Sequence, residues 1–163
     1  MRMERIAQVS IFIALGVGLG YAFAPVPNVE LVIPTIFLSG VLLGKREGGI
    51  TGFLTFLIFG FFNPYGPSPP PLLFAQVLGG MMVGVCGGFI PPGRLSFFLS
   101  GFLLTLLYDI LTNLSGYILF PGGKTFLAYM VAGLSFSLIH IVSNTLIFGV
   151  VVYPLYSKLK HGR

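Results

Sequence analysis

The sequence predicts an all-α integral membrane protein, a single domain over residues 1–163 that forms a bundle of six transmembrane helices with both termini in the cytoplasm. The first observation behind this is composition: 55% of residues are hydrophobic and 8% are charged. Soluble domains carry about 25% charged residues, so this chain cannot cover a water-facing surface. The second is the pattern, in which long apolar stretches alternate with short breaks that hold the basic residues.

The basic residues predict the orientation, because Lys and Arg in short loops stay on the cytoplasmic side. With six spans, one side holds Arg2, Arg5, Lys45, Arg46, Arg94, Lys158, Lys160 and Arg163, and the other holds Lys124. This asymmetry places both termini inside, in the cell inner (cytoplasmic) membrane. It also explains the net charge of +5 without a nucleic-acid partner. Five spans with a re-entrant segment 31–44 are the alternative, but they would spoil the asymmetry.

The first predicted helix, 6–24, is as long as a membrane span requires. Pro25 and Pro27 end it, since proline cannot donate the next helical hydrogen bond. Its basic start and the small residues at 22–24 resemble a cleavable signal peptide. The length of the run and the proline after the would-be cleavage position favour a retained helix.

The second and third predicted helices are 31–44 and 50–62. Pro34 lies inside the short second segment, which predicts a kink or a start below the membrane surface. Residues 45–49 form the predicted turn between them. Residues 63–71 form a predicted outer loop, because five of the nine are proline.

The remaining predicted helices each end at a proline, which cannot continue a helix. Residues 91–94 follow the fourth helix and residues 120–124 follow the fifth, while Pro154 ends the sixth. The three helices are 72–90, 95–119 and 126–153.

Small residues recur at every fourth position of the first helix. Residues four apart share one helix face, and small residues there let another membrane helix approach closely. One row holds Ser10, Ala14, Gly18 and Ala22, and a second holds Gly16, Gly20 and Ala24. Because packing inside the bundle requires only one row, the other can meet a partner. Packing of both rows inside the protein is the alternative.

Asp109 is the only acidic residue deep in a predicted span. A charge at the bilayer centre costs about 2.5–3.5 kcal/mol, so this side chain should face the bundle interior or a water-filled cavity. Two polar stripes at helical spacing agree, namely Thr105, Asp109, Thr112, Asn113 and Gly116 bordered by Tyr117, and Gly133, Ser137, His140 and Asn144. They predict a polar vestibule open to the outside. The alternative is a set of hydrogen bonds that only holds the helices together.

Catalysis has little support in this sequence. The predicted spans contain no pair of carboxylates, no metal-ligand cluster and no glycine-rich phosphate loop after a strand. We therefore predict no enzyme activity, no metal and no cofactor, with ATP hydrolysis left to separate subunits. Two alternatives stay open: a membrane scaffold or assembly subunit without a ligand, and an intramembrane enzyme that uses Asp109 and His140.

Several features together resemble a known family. They are the basic cytoplasmic ends, the small-residue first helix, and the stretches 27–31, 108–113 and 140–144. The chain is similar to the substrate-binding S subunits of energy-coupling factor (ECF) transporters, which capture vitamins or related micronutrients. This resemblance implies capture of a vitamin-like small molecule at the outer face. It also implies a membrane T subunit and two ATPase subunits as partners, within the lipid bilayer.

The resemblance also implies where ligand and partner bind. It assigns a pocket near the outer surface to Asn63, Tyr65, Gln76, Asp109, Asn113 and Tyr117, and the polar stripe adds His140 as a candidate. It implies docking on the T subunit through Ala14 and Gly18, flanked by Ser10 and Ala22. One carboxylate with amides and aromatic rings suits a flat heterocycle. Riboflavin, thiamine, a corrinoid or its benzimidazole precursor, and a queuosine precursor all fit that description.

Overall fold

The computed structural model describes residues 3–123 and 125–161, without the side chain of His161. The predicted positions of Arg2, Lys124 and Arg163 lie outside the described residues. In the described part of the chain all regular structure is helical, as expected for an all-α membrane protein. The helices are α1 (Met3–Phe23), α2 (Val32–Leu43), α3 (Lys45–Phe61), α4 (Pro70–Gly87), α5 (Arg94–Leu119), α6 (Phe126–Ala132), α7 (Leu134–Ile147) and α8 (Tyr153–His161), with a π-helical turn at Phe148–Val152.

Among the described residues, four helical stretches are long and apolar enough to cross a membrane: α1, α4, α5 and the continuous helix Leu134–Lys160. The 12 residues of α2 rise only about 18 Å, against a hydrocarbon core of about 30 Å. Residues 32–40 of α2 are all buried. A helix that is apolar on every side belongs in an interior, so α2 is surrounded by other helices.

The predicted turn at residues 45–49 is wrong, because α3 already begins at Lys45. Gly44 alone separates α2 from α3, with a φ of 106°. Only glycine adopts such a backbone at low cost, so a single residue reverses the chain. The proline loop is also shorter than predicted. Pro70 and Pro71 form the first turn of α4, where no backbone N–H is needed.

The predicted helix 126–153 differs from the structure in two ways. It breaks at Gly133, between α6 and α7. It also does not end at Pro154, which lies in the first turn of α8. Proline clashes with the carbonyl of the fourth residue before it. The π-helical turn at Phe148–Val152 lies just before Pro154, and its wider backbone accommodates the ring.

Glycines bring α2, α3 and α4 into direct backbone contact. A Cβ built on Gly84 would overlap the backbone of Gly48, and one built on Gly52 would overlap the backbone of Gly80. Gly40 meets the backbone of Gly84 in the same way. Such contacts join membrane helices through van der Waals attraction, because apolar side chains gain nothing by leaving lipid. We call these five residues the glycine interface.

Cross-helix contacts gather the described basic residues at one end of the bundle. The Arg5 guanidinium donates a hydrogen bond of 3.1 Å to the carbonyl of Leu43, at the end of α2. The Lys45 ammonium lies 4.9 Å from the ring centre of Phe89, just beyond α4. Tyr156 of α8 packs against Phe97 in the first turn of α5, and Lys160 lies 5.6 Å from the ring centre of Tyr156. We call this end the basic end, and its basic residues are Arg5, Lys45, Arg46, Arg94, Lys158 and Lys160. The last turn of α1 and the first turn of α2 lie at the opposite end.

Candidate functional site

A cavity of about 430 Å³ opens at the end of the bundle opposite the basic end. It lies between the last turn of α1, the α1–α2 loop and the facing parts of α3, α4, α5 and α7. Its walls are mainly aromatic and aliphatic, and the rings are Phe23, Phe56, Phe59, Tyr65, Tyr108 and Phe136. Small-molecule sites are typically concave and apolar, with a few placed polar groups, and have volumes of about 300–1,000 Å³.

The polar groups on the cavity wall are Asn28, Glu30, Gln76 and His140. Glu30 is held by the start of α2. Its Oε2 accepts hydrogen bonds from the backbone N–H groups of Val32 (2.5 Å) and Ile33 (2.9 Å). These amides have no partner inside the helix, and the helix dipole favours a negative charge there. The end of the α1–α2 loop is thereby fixed against α2.

A hydrogen-bonded network lies behind this wall and joins three parts of the bundle. The Nδ1 of His140 lies 2.7 Å from the Oδ1 of Asp109, which links α7 to α5. The Nδ2 of Asn144 lies 3.0 Å from the Oε1 of Glu30 and 3.2 Å from the Nε2 of His140. Thr105 accepts from the same amide at 3.2 Å. We call Glu30, Thr105, Asp109, His140 and Asn144 the polar network.

The polar network is deeply buried: Asp109 is 5% exposed, His140 7% and Asn144 0%. Ionisable groups inside a membrane protein are costly unless they are paired, and this pairing meets that requirement. Asp109 lies one layer behind His140 and does not line the cavity. Its Oδ2 is buried without a partner among the described residues.

The close approach of Asp109 and His140 meets one condition of the intramembrane-enzyme alternative. Nucleophilic catalysis needs a hydroxyl or thiol on the other ring nitrogen of the histidine. That nitrogen, Nε2, faces Asn144 at 3.2 Å and Glu30 at 3.7 Å. Thr105, the nearby hydroxyl, bonds to Asn144 instead. The geometry therefore holds an imidazole between two carboxylates and activates no nucleophile in the described part of the chain.

Two tyrosines tie the α3–α4 loop to α1 at the cavity mouth. The Tyr65 hydroxyl donates a hydrogen bond of 2.8 Å to the carbonyl of Ala24. The Tyr21 hydroxyl donates to the carbonyl of Phe62. Asn63 shapes the loop, because its Oδ1 accepts from the backbone N–H of Tyr65 at 2.9 Å. Tyr65 lines the cavity, whereas Asn63 acts on its own loop.

Asn113 and Tyr117 lie away from the cavity. Asn113 donates to the backbone carbonyl of Asp109 at 2.8 Å and lies 3.5 Å from the Oγ of Ser137. Tyr117 packs against Phe126, with ring centres 5.6 Å apart. Of the seven candidate residues, the structure places Tyr65, Gln76 and His140 on the cavity wall. Asn63, Asp109, Asn113 and Tyr117 are not on it.

Sequence reasoning did not select Asn28, Glu30 and Tyr108, which also line the cavity. A signal for Glu30 was present, because a carboxylate just before an apolar helix is typical of a helix N-terminus. Tyr108 directly precedes Asp109 in the chain and stacks on Phe56 with ring centres 5.3 Å apart. Asn28 has a φ of 61°, a backbone that Asn tolerates better than most residues.

The two small-residue rows of α1 face opposite ways. Gly16 and Gly20 are buried, and a Cβ at either would overlap Thr55 or Phe59 of α3. The row Ser10, Ala14, Gly18 and Ala22 is exposed along its whole length. A Cβ on Gly18 would meet nothing within 4 Å. One row therefore packs within the bundle, and the other leaves a flat surface toward the membrane.

Taken together, the apolar helices and the recessed cavity define a multi-pass membrane protein with a small-molecule cavity. A comparison with protein families narrows this class. Residues 1–161 match the family described as "ECF-type riboflavin transporter, S component". The chain belongs to this family, so it is the S component of a vitamin transporter rather than an enzyme. No curated protein and no solved structure matches the chain.

Proposed function

We propose that this protein captures riboflavin, or a closely similar flat heterocycle, in the cavity opposite the basic end. The observation that carries the proposal is the aromatic cavity with four polar wall groups in a chain of the riboflavin S-component family. A fused ring system can stack on the cavity aromatics, and hydroxyl groups can donate to the wall carboxylate and amides. The substrate-capture role also accounts for a buried polar network beside the cavity.

We further propose six membrane-crossing segments with both termini in the cytoplasm. Support comes from Arg5 and Lys45, whose contacts with Leu43 and Phe89 bring them to one end of the bundle. Lys and Arg in short loops stay on the cytoplasmic side, so the cavity would open to the outside of the cytoplasmic membrane. In this arrangement α2 and α3 complete a hairpin within the bundle, with α2 shielded from lipid by its neighbours.

We propose that the exposed row Ser10, Ala14, Gly18 and Ala22 docks on the T subunit, and that two separate ATPase subunits drive transport. The proposal of separate ATPase subunits is supported by membership of the ECF S-component family. The support for docking is that this row is exposed while the neighbouring glycine row is filled by α3. A flat helix face is what a close helix–helix contact in a membrane requires.

The test of ligand capture is a binding measurement on the purified protein in lipid nanodiscs. Riboflavin should bind and should lose fluorescence as its ring stacks in the cavity. Phe136→Ala removes a cavity aromatic and should raise the Kd at least about tenfold. Phe102→Ala removes an exposed phenylalanine of α5 that does not line the cavity, and should leave the Kd unchanged. Absence of riboflavin binding would refute the proposed ligand, and equal Kd values for the two variants would refute the proposed cavity.

A further inference from the structure

The cavity wall carries a negatively charged side chain but no lysine or arginine among its described residues. The one carboxylate among them is Glu30. His140 is the one described lining group that could carry a positive charge near neutral pH. It lies 2.7 Å from Asp109 and 3.7 Å from Glu30, so two carboxylates already face its two ring nitrogens. An incoming anion would find no uncommitted cation on this wall.

The start of α2 is also unavailable to an anion. A helix N-terminus is a natural anion site, because its free N–H groups and the helix dipole attract negative charge. Here the backbone N–H groups of Val32 and Ile33 already donate to the Oε2 of Glu30. The other carboxylate oxygen, Oε1, accepts from Asn144. Glu30 therefore fills the anion site from within and stays fixed beside the cavity.

Two acceptor atoms of the wall lack a donor. The Oδ1 of Asn28 and the Oε1 of Gln76 are buried without a hydrogen-bond partner among the described residues. Both residues line the cavity. A buried acceptor without a partner is costly, and a small rotation of either amide would let it meet a hydroxyl or N–H of a ligand. At these two positions the wall suits a ligand that donates hydrogen bonds.

We infer that the cavity admits an uncharged, hydroxyl-bearing flat molecule and rejects its phosphate ester, with Glu30 as the specificity-determining residue. This inference rests on the proposed function. A phosphate adds up to two negative charges and several acceptor oxygens. It would face a fixed carboxylate within a few ångströms, without a cation on the wall to offset the repulsion. Discrimination of this kind comes from a built-in repulsive group rather than from an extra attraction.

The experiment compares riboflavin with riboflavin 5′-phosphate on the intact protein in nanodiscs. Wild-type protein should bind the phosphate ester at least about 100-fold more weakly than riboflavin. Glu30→Gln removes the charge but keeps the size and one carbonyl acceptor. It should reduce that ratio to about tenfold or less, with some loss of riboflavin affinity. Glu4→Gln removes the same charge at the exposed start of α1 and should leave the ratio as in the wild type.

Gln76→Glu is the reverse variant, because it adds a second carboxylate to the wall. It should increase the ratio, and it keeps the inference testable if Glu30→Gln does not fold. Equal wild-type affinity for the two flavins would overturn the inference while leaving the proposed function intact. If neither flavin binds, the proposed function fails and the inference with it. A ratio that neither variant alters would show that Glu30 does not set the specificity.

Discussion

The two halves of this bundle are held together by different forces. In α2, α3 and α4 the glycine interface brings backbones into contact, with Gly48 against Gly84 and Gly52 against Gly80. Between α5 and α7 close packing at Gly101 is supplemented by a polar link, through the 2.7 Å contact of Asp109 with His140 and the amide of Asn144. Both kinds of contact stabilise the association of helices, which the hydrophobic effect promotes only weakly inside a membrane.

The difference between the halves explains where the cavity lies. Backbone contact leaves no space for a ligand and no polar group to hold one. Helices joined through polar side chains lie farther apart than helices in backbone contact. Their polar groups can also form hydrogen bonds with a ligand at the end of the bundle. The cavity lies where the two kinds of packing meet, with Phe56 of α3 on one side and His140 of α7 on the other. The half made of α2, α3 and α4 thus provides close backbone packing and also Gln76, while α7 provides His140.

The strongest test of this comparison is to place a side chain in the glycine interface. Gly84→Leu should destabilise the fold by more than about 3 kcal/mol, because its Cβ would overlap backbone that cannot rotate away. Loss of the monodisperse peak in size-exclusion chromatography and a large fall in Tm would show this. Gly18→Leu is the matched control, with open space around its Cβ. A Tm for Gly84→Leu within a few degrees of wild type would refute direct backbone packing.

The second test separates pairing from simple burial in the polar network. Asp109→Leu or His140→Leu alone should each cost about 3 kcal/mol, because each leaves the other ionisable group buried without its partner. The double variant should cost less than the sum of the two, by about 1 kcal/mol or more. Thermal or denaturant unfolding of the four proteins in one detergent measures the coupling. Strict additivity would mean that the two side chains do not interact.

A smaller effect is expected at the cavity mouth, where the α3–α4 loop is hydrogen-bonded to the end of α1. Tyr65→Phe removes the hydrogen bond to the carbonyl of Ala24 but keeps the ring. We expect a loss of about 0.5–1 kcal/mol in riboflavin binding, since the bond is exposed to solvent. Stopped-flow dissociation of bound riboflavin would detect it as a faster off-rate. Tyr129→Phe, on a ring that packs against Tyr117 away from the cavity, is the control.

The smallest effect on stability is expected on the exposed face of α1. Gly18→Leu should leave the Tm and riboflavin binding unchanged, because nothing lies within 4 Å of the added Cβ. It should nevertheless reduce riboflavin uptake by cells and the amount of T subunit that copurifies with the protein. The reason is that a leucine side chain would keep α1 from approaching the T subunit closely. Gly16→Leu, on the buried row, should instead impair folding through its clash with Thr55. Normal riboflavin uptake by the Gly18→Leu variant would show that this face of α1 is not the docking site.

Much of the fold could be predicted from the sequence. The bounds of α1, α2 and α5 agree with the predicted helices within a few residues, because apolar length and proline positions report local properties. The failures have a physical cause as well. Pro154 stops a regular α-helix, but the π-helical turn before it carries the chain onward, and that turn packs Phe148 against Phe37 of α2. The sequence around Pro154 does not reveal this contact with a distant helix.

The candidate site was less predictable than the fold. Helical spacing correctly put Asp109 and His140 on inward faces, since both are buried. It could not tell which side chain reaches the cavity and which supports it from behind. Nor could it pair Glu30 with Asn144, which lie 114 positions apart in the chain. Such pairings depend on how whole helices are placed against one another.

The sequence by itself therefore determined the membrane environment, most helices and the family pattern, because apolar length, proline and charge act locally. Only the tertiary structure decided which row of α1 is buried, that α2 lies at the centre, and that Glu30 stands on the cavity wall. Those outcomes depend on close approach between helices that are distant in the chain. At such contacts a glycine without a Cβ allows two helices to touch, and a single carboxylate such as that of Glu30 can link segments that are far apart in the chain.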